Sequence, residues 1–214
     1  MIAAIAIAAV VAMLAVVGLI AAVVMHVKPQ ATSSTQIMMY AAPVSNTQVA
    51  NNVAPVPPAA AVPSPMGRWT SARGIQIAQR ALAWVGWPYS WDAGNASGPT
   101  YGQAIDSASR NDSRILGFDC SGLVMYAMAQ FTSLDHSAAG QYTESGSFHP
   151  ALDSLQPGDL LFWSKDGTIG GIGHVAIYLG NGNVVEAPHS GDRIKVISAN
   201  DVESGTIGAT RPLT

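Results

Sequence analysis

The chain has one cysteine, Cys120, so it can form no internal disulfide. A lone cysteine in an exported chain is either a buried small hydrophobe or a reactive thiol. Charge is also scarce: 11% of the 214 residues are charged and the net charge is -3. No basic patch stands out, which excludes nucleic-acid binding as a reading. No His/Cys cluster has metal-ligand spacing. The glycines from Gly167 to Gly173 follow neither a dinucleotide fingerprint nor a phosphate loop. No Gly-x-Ser-x-Gly elbow is present. No internal repeat is visible, and no metal or organic cofactor is expected.

What the chain does have is unevenly placed. Ile2 to Met25 carries no charged or polar side chain. As a helix it would run ~36 Å at ~1.5 Å per residue, enough to span a hydrocarbon core of ~30 Å. A signal peptide has a cationic start and a shorter apolar core. Residues 1–28 are therefore read as a single-pass membrane anchor. Lys28 alone would place the following chain in the cytoplasm. From Pro29 to Gly67, prolines alternate with Ala, Val, Ser, Thr and Asn, and no charged residue occurs. This reads as a flexible linker that reaches ~35 Å as a coil and ~120 Å fully extended.

The folded domain is expected over 68–214. Ser71 is a candidate cap for a helix running to about Val85. Ile77, Ala78, Ala81, Leu82 and Val85 form its apolar stripe, and Gly86 and Pro88 stop it. Asp92 to Gly117, rich in Gly, Ser, Asn and Asp, reads as a long loop of the kind that often rims a site. A second helix is expected from Cys120 to about Phe131. It would be capped by Asp119 and buried through Leu123, Val124, Ala127, Met128 and Phe131. After a polar connection come strand-like runs at 159–164, 174–179, 183–187, 193–198 and 207–211. Helices followed by strands is an α+β pattern.

Cys120 would open a helix, where the positive end of the dipole favours the nucleophilic thiolate. Ser121 and Gly122 are small and leave the thiol accessible. Such a cysteine needs a base within hydrogen-bond reach. Of the five histidines, His26 adjoins the apolar segment, and His136 and His149 read as surface or packing residues. His174 sits at a strand end beside Gly173, on a face lightened by Ala176. His189 is its rival.

Three stretches carry a resemblance. They are Phe118-Asp119-Cys120-Ser121-Gly122-Leu123-Val124, Leu155-Gln156-Pro157-Gly158-Asp159-Leu160-Leu161-Phe162-Trp163 and Gly173-His174-Val175-Ala176-Ile177-Tyr178-Leu179-Gly180. In this order they resemble the NlpC/P60 domain, over about Arg73 to Arg211. Gly86-Trp87-Pro88-Tyr89-Ser90-Trp91 is similar to the motif ahead of the family's cysteine. The resemblance implies a papain-like α+β fold, with a Cys-bearing helix on a small antiparallel sheet. It implies a cysteine peptidase that cuts peptidoglycan stem peptides, usually between D-γ-glutamyl and a diamino acid. Cys120 would be nucleophile, His174 base and Glu186 the third member. Tyr89 and Ser121 would be the substrate- and oxyanion-side groups. A wall substrate puts the domain on the extracytoplasmic side, against the vote of Lys28. Two departures stand out. Trp91-Asp92-Ala93-Gly94-Asn95 replaces the family's Gly-Gly, and the loop before Cys120 is longer than usual. A Cys-His acyltransferase or amidase and a non-catalytic wall-binding module are the alternatives.

Glu186 can serve only if the hairpin register allows it. A two-residue Asn181-Gly182 turn would pair Gly180 with Asn183, set Ile177 opposite Glu186 and turn Glu186 away from His174. A three-residue loop, with Gly182 in a left-handed bulge, would set Ala176 opposite Glu186 and bring His174 and Glu186 to one face. The three-residue form is expected.

Overall fold

The computed structural model describes residues 68–202 and 205–214. The expected membrane anchor and linker lie outside them. Among the described residues no helix is long and apolar enough to cross a membrane.

The domain is α+β. Helix α1 (Ser71–Leu82) is capped one residue earlier than expected: Thr70, in extended conformation, accepts the Arg73 N–H. The helix ends at Leu82 and gives way to turns, leaving Val85 39% exposed instead of in the stripe. The positive φ of Gly86 completes the reversal. Helix α2 (Cys120–Met128) begins where expected, with Asp119 as its cap, and buries Leu123, Val124, Ala127 and Met128. It stops short of Phe131, which is only half-buried. A further helix, α3 (Ala138–Glu144), occupies the connection read as irregular, capped by Ser137.

The expected long loop holds structure of its own. Strands β1 (Thr100–Tyr101) and β2 (Leu116–Gly117) pair antiparallel, with a short 3₁₀ turn at Asp112–Arg114 between them. The main sheet contains β3 (Leu160–Ser164), β4 (Ile172–Gly180), β5 (Asn183–Glu186), β6 (Lys195–Ser198) and β7 (Thr206–Thr210). Its order is β6-β5-β4-β3-β7, antiparallel throughout. Alternation along β4 sends Val175, Ile177 and Leu179 to the helical core and Ala176 to a second cluster with Leu161, Trp163, Val184 and Ala209.

The turn before β3 is an anchor. Fully buried Asp159 accepts the Gln156 N–H at 2.7 Å and two Arg211 nitrogens at 2.9 Å. Gly74 of α1 packs against this turn so closely that a Cβ would lie 2.2 Å from the Pro157 carbonyl oxygen. The Pro157-Gly158-Asp159 motif thus carries packing, not chemistry.

The β4–β5 hairpin combines both registers considered for it. Asn181 and Gly182 both have positive φ and form a two-residue turn, with Gly180 opposite Asn183. An irregularity between Tyr178 and Gly180 then shifts the ladder, so Tyr178 faces Val184 and Ile177 faces Val185. Continuing one step sets Glu186 beside Ala176. The bulge sits in β4 and not at Gly182, where it was expected. Its effect on Glu186 is the expected one, because any one-residue shift exchanges the faces.

Candidate active site

The site forms where the start of α2 meets β4 and β5. Asp119 places Cys120: its Oδ1 accepts the Gly122 N–H at 2.6 Å and the Ser121 hydroxyl at 3.0 Å. This fixes the first turn of the helix, whose Cys120 N–H has no helical carbonyl to meet. Gly122 allows α2 to seat against the 92–94 segment, since a Cβ there would lie 2.1 Å from the Ala93 carbonyl oxygen. Cys120 itself is partly exposed.

His174 is buried, and its Nε2 lies 2.8 Å from Glu186 Oε2, which is also buried. The imidazole also lies within interaction reach of the Cys120 thiol. With Nε2 on the carboxylate, Nδ1 is the nitrogen left for the sulfur. Burial opposes a charge on His174. The hydrogen bonds to Cys120 and Glu186 outweigh it and raise the pKa to about 10. The Trp163 indole stands beside the imidazole, with centroids 5.6 Å apart.

Tyr89 is buried next to this pair. Burial raises its pKa, and the negative charges of Cys120, Asp119, Asp112 and Asp92 add to the effect. The phenol therefore keeps its proton and is available as a donor. Ser121 is placed differently from the sequence expectation. Its hydroxyl is buried in the helix cap on Asp119, not presented to the groove. His189 is exposed on the rim, 3.8 Å from Asp192. It is His174, and not His189, that Cys120 acts on.

A groove of about 410 Å³ opens over the site, lined in part by Tyr89, Trp91, Trp163, His174, Pro188 and Ser190. That falls within the usual size of a ligand pocket.

Sequence reasoning passed over three groups. His136, read as a surface or packing residue, is half-buried with Nε2 3.0 Å from Asp119 Oδ1. That hydrogen bond raises its pKa, with burial opposing. Asp92, in place of a family glycine, has φ +56°, a conformation Asp tolerates better than most residues. With Asp119 and His136 it brings three donor atoms within 4.8 Å of one another, a juxtaposition no local spacing announces. Asp112, inside the long loop, is 1% exposed and bonds across to Ser190.

The model of the NlpC/P60 family matches residues 86–210. The chain belongs to the NlpC/P60 family. Similar proteins include peptidoglycan endopeptidase RipA of Mycolicibacterium smegmatis, 40% identical over 121 residues, covering 56% of this chain and 22% of that protein. Thus the match spans only about a quarter of such relatives' own length, 26% for RipA of Mycobacterium tuberculosis. The solved structure of peptidoglycan hydrolase RipB from M. tuberculosis is similar, with a TM-score of 0.55 at 33% identity over 68% of each chain. RipD from the same organism is described as a non-catalytic NlpC/p60 domain protein adapted to peptidoglycan binding. It is 28% identical, with a TM-score of 0.53, over 65% of this chain and 96% of that one.

Proposed function

We propose that this NlpC/P60 domain is a cysteine endopeptidase of the cell wall. It cleaves peptidoglycan stem peptides at the bond between D-γ-glutamyl and the diamino acid. The observation that carries the reading is the buried Glu186–His174 hydrogen bond, with the Cys120 thiol acting on the same imidazole. A binding module has no need of an unbroken nucleophile–base–carboxylate chain opening on a groove.

The reaction follows from these positions. The thiolate of Cys120 attacks the scissile carbonyl carbon, forming a C–S bond and moving the carbonyl π electrons to oxygen. On this reading the Cys120 N–H and the Tyr89 phenol steady that developing charge. The proton on His174 passes to the departing amine nitrogen as the C–N bond breaks. The now neutral imidazole takes a proton from water, which attacks the thioester. The acid is released, and the Cys120–His174 pair is restored. Glu186 orients the ring throughout and stabilises its cationic state, the role of the third member in other triads.

On the same reading Ile2–Met25 anchors the chain, the Pro-rich segment tethers it, and the domain works on the extracytoplasmic side. The test is digestion of purified wall fragments, with mass analysis of the products. New amino termini on the diamino acid, absent with Cys120→Ser, are the expected result. Release of a different amine, or transfer to an added amine, would point to an amidase or acyltransferase. Binding without any product would make the domain a wall-binding module.

A further inference from the structure

Asp112 makes no contact that the proposed reaction uses, yet it is a carboxylate buried to 1% exposure. Its Oδ2 accepts the backbone N–H of Trp91 at 2.8 Å and the hydroxyl of Ser190 at 2.6 Å. Both donors, one backbone N–H and one hydroxyl, are neutral, so no ion pair explains the burial. A buried carboxylate with only neutral donors is a costly way to hold two loops together, and a shape requirement is its natural reason.

The two donors lie on different parts of the chain. Trp91 closes the aromatic motif ahead of α2, whereas Ser190 lies 78 residues from Asp112, in the turn after β5. Both line the groove over His174. The main chain of Asp112 extends the junction. Its carbonyl accepts the Gly102 N–H at 3.1 Å and lies 3.0 Å from the Ser90 hydroxyl, and its N–H bonds to the carbonyl of Ser109 at 2.8 Å. Ser109 also lines the groove. One residue of the long loop therefore connects three lining residues from three segments.

We infer that Asp112 is a positioning residue that sets the shape of the substrate groove, by tying Trp91 to Ser190 through one carboxylate oxygen. It governs how the peptide is held, not how its bond is broken. The inference rests on the groove being the peptide site of the proposed endopeptidase.

The test uses the full chain and its Asp112→Ala, Asp112→Asn and Ser190→Ala variants. Two readouts are taken: KM and kcat on a soluble muropeptide, and labelling rates of Cys120 by iodoacetamide and by bulky fluorescein maleimide. Cys120 is the chain's one cysteine, so labelling reports on it alone. Asp112→Ala is expected to raise KM about tenfold or more, with kcat within about threefold of the parent. The iodoacetamide rate should stay unchanged. Asp112→Asn retains an acceptor oxygen and should restore KM to within about threefold. Ser190→Ala removes one tie and should raise KM about threefold, which decides the matter if Asp112→Ala fails to fold. In the untying variants the ratio of bulky to small labelling should rise about threefold or more. An unchanged KM in both Asp112→Ala and Ser190→Ala would overturn the inference, as would a fall in kcat and iodoacetamide rate at constant KM. If the parent cleaves no muropeptide, the endopeptidase reading fails by itself. The labelling ratio then decides the groove: a rise sustains the tie, and an unchanged ratio overturns it.

Discussion

Replacing Glu186 by glutamine removes a negative charge from beside His174 and keeps the side chain's shape. Glu186 is buried, and its carboxylate lies 2.8 Å from Nε2. A hydrogen bond involving a charged group is worth about 1.5–3 kcal/mol, a neutral one about 0.5–1.5 kcal/mol. The charge therefore contributes roughly 1–1.5 kcal/mol, and its loss, at about 1.36 kcal/mol per unit, lowers the pKa of His174 by about one. Glu186→Ala removes the whole bond and lowers it by about one to two. The assay is the pH profile of kcat/KM on a soluble muropeptide. Its alkaline limb reports loss of the His174 proton that the leaving amine requires. In the parent that limb should lie far above the ordinary imidazole range, with His174 raised to about 10. It should move down by about one pH unit in Glu186→Gln and further in Glu186→Ala. An alkaline limb that stays in place in both variants would refute the reasoning: Glu186 would then orient the ring without holding its proton. Stability follows the same pair. The raised pKa makes a contribution that is fully present below about pH 6.5 and is lost as pH rises through about 10. Melting temperatures across that window should fall less steeply in Glu186→Gln than in the parent.

Cys120→Ser should cut wall hydrolysis on the order of 10³-fold or more while circular dichroism shows an intact fold, because Cys120 is only partly buried. His174→Ala should abolish activity as well. It also strands Glu186 as a buried charge, so denaturant titration should show a loss of roughly 3–5 kcal/mol that the double variant with Glu186→Gln largely recovers. Gly122→Ala places a methyl 2.1 Å from the Ala93 carbonyl oxygen. It should cost about 1–3 kcal/mol in urea unfolding and lower turnover, whereas unchanged stability would mean that α2 is free to shift. The chain shortened to residues 68–214 should cleave a soluble muropeptide within about twofold of the full chain. A large loss with folding intact would make the preceding segment part of the domain.

Helices α1 and α2 and the main strands were legible in the sequence because each rests on local periodicity. Ile77, Ala78 and Ala81 recur at helical spacing, and β4 alternates core with lighter residues. The Asp119 cap was equally local. Helix α3 escaped because it is 7 residues long and buries only Ala138 and Gln141, too little to show a stripe. Asp112 escaped for another reason: a carboxylate in a polar loop looks solvated until a partner 78 residues away is folded against it. His136 likewise gained its meaning only when the chain brought it to Asp119, 17 residues earlier.

The sequence by itself determined the family, the cysteine at the start of its capped helix and the histidine on its strand, since these follow from short-range patterns. Only the tertiary structure decided whether Glu186 shares a face with His174. The Asn181-Gly182 pair does form the tight turn its local preference calls for. Taken alone, that turn would point Glu186 away from His174. The ladder irregularity between Tyr178 and Gly180 returns it to the same face. With a side-chain period of two, one residue of slip decides between a buried His174–Glu186 bond and none. Gly180, at φ +100°, gives the slip a local seat but does not enforce it. The slip is held by β5 pairing with β6 on its far side and by the burial of Val184 and Val185 on opposite faces of the sheet.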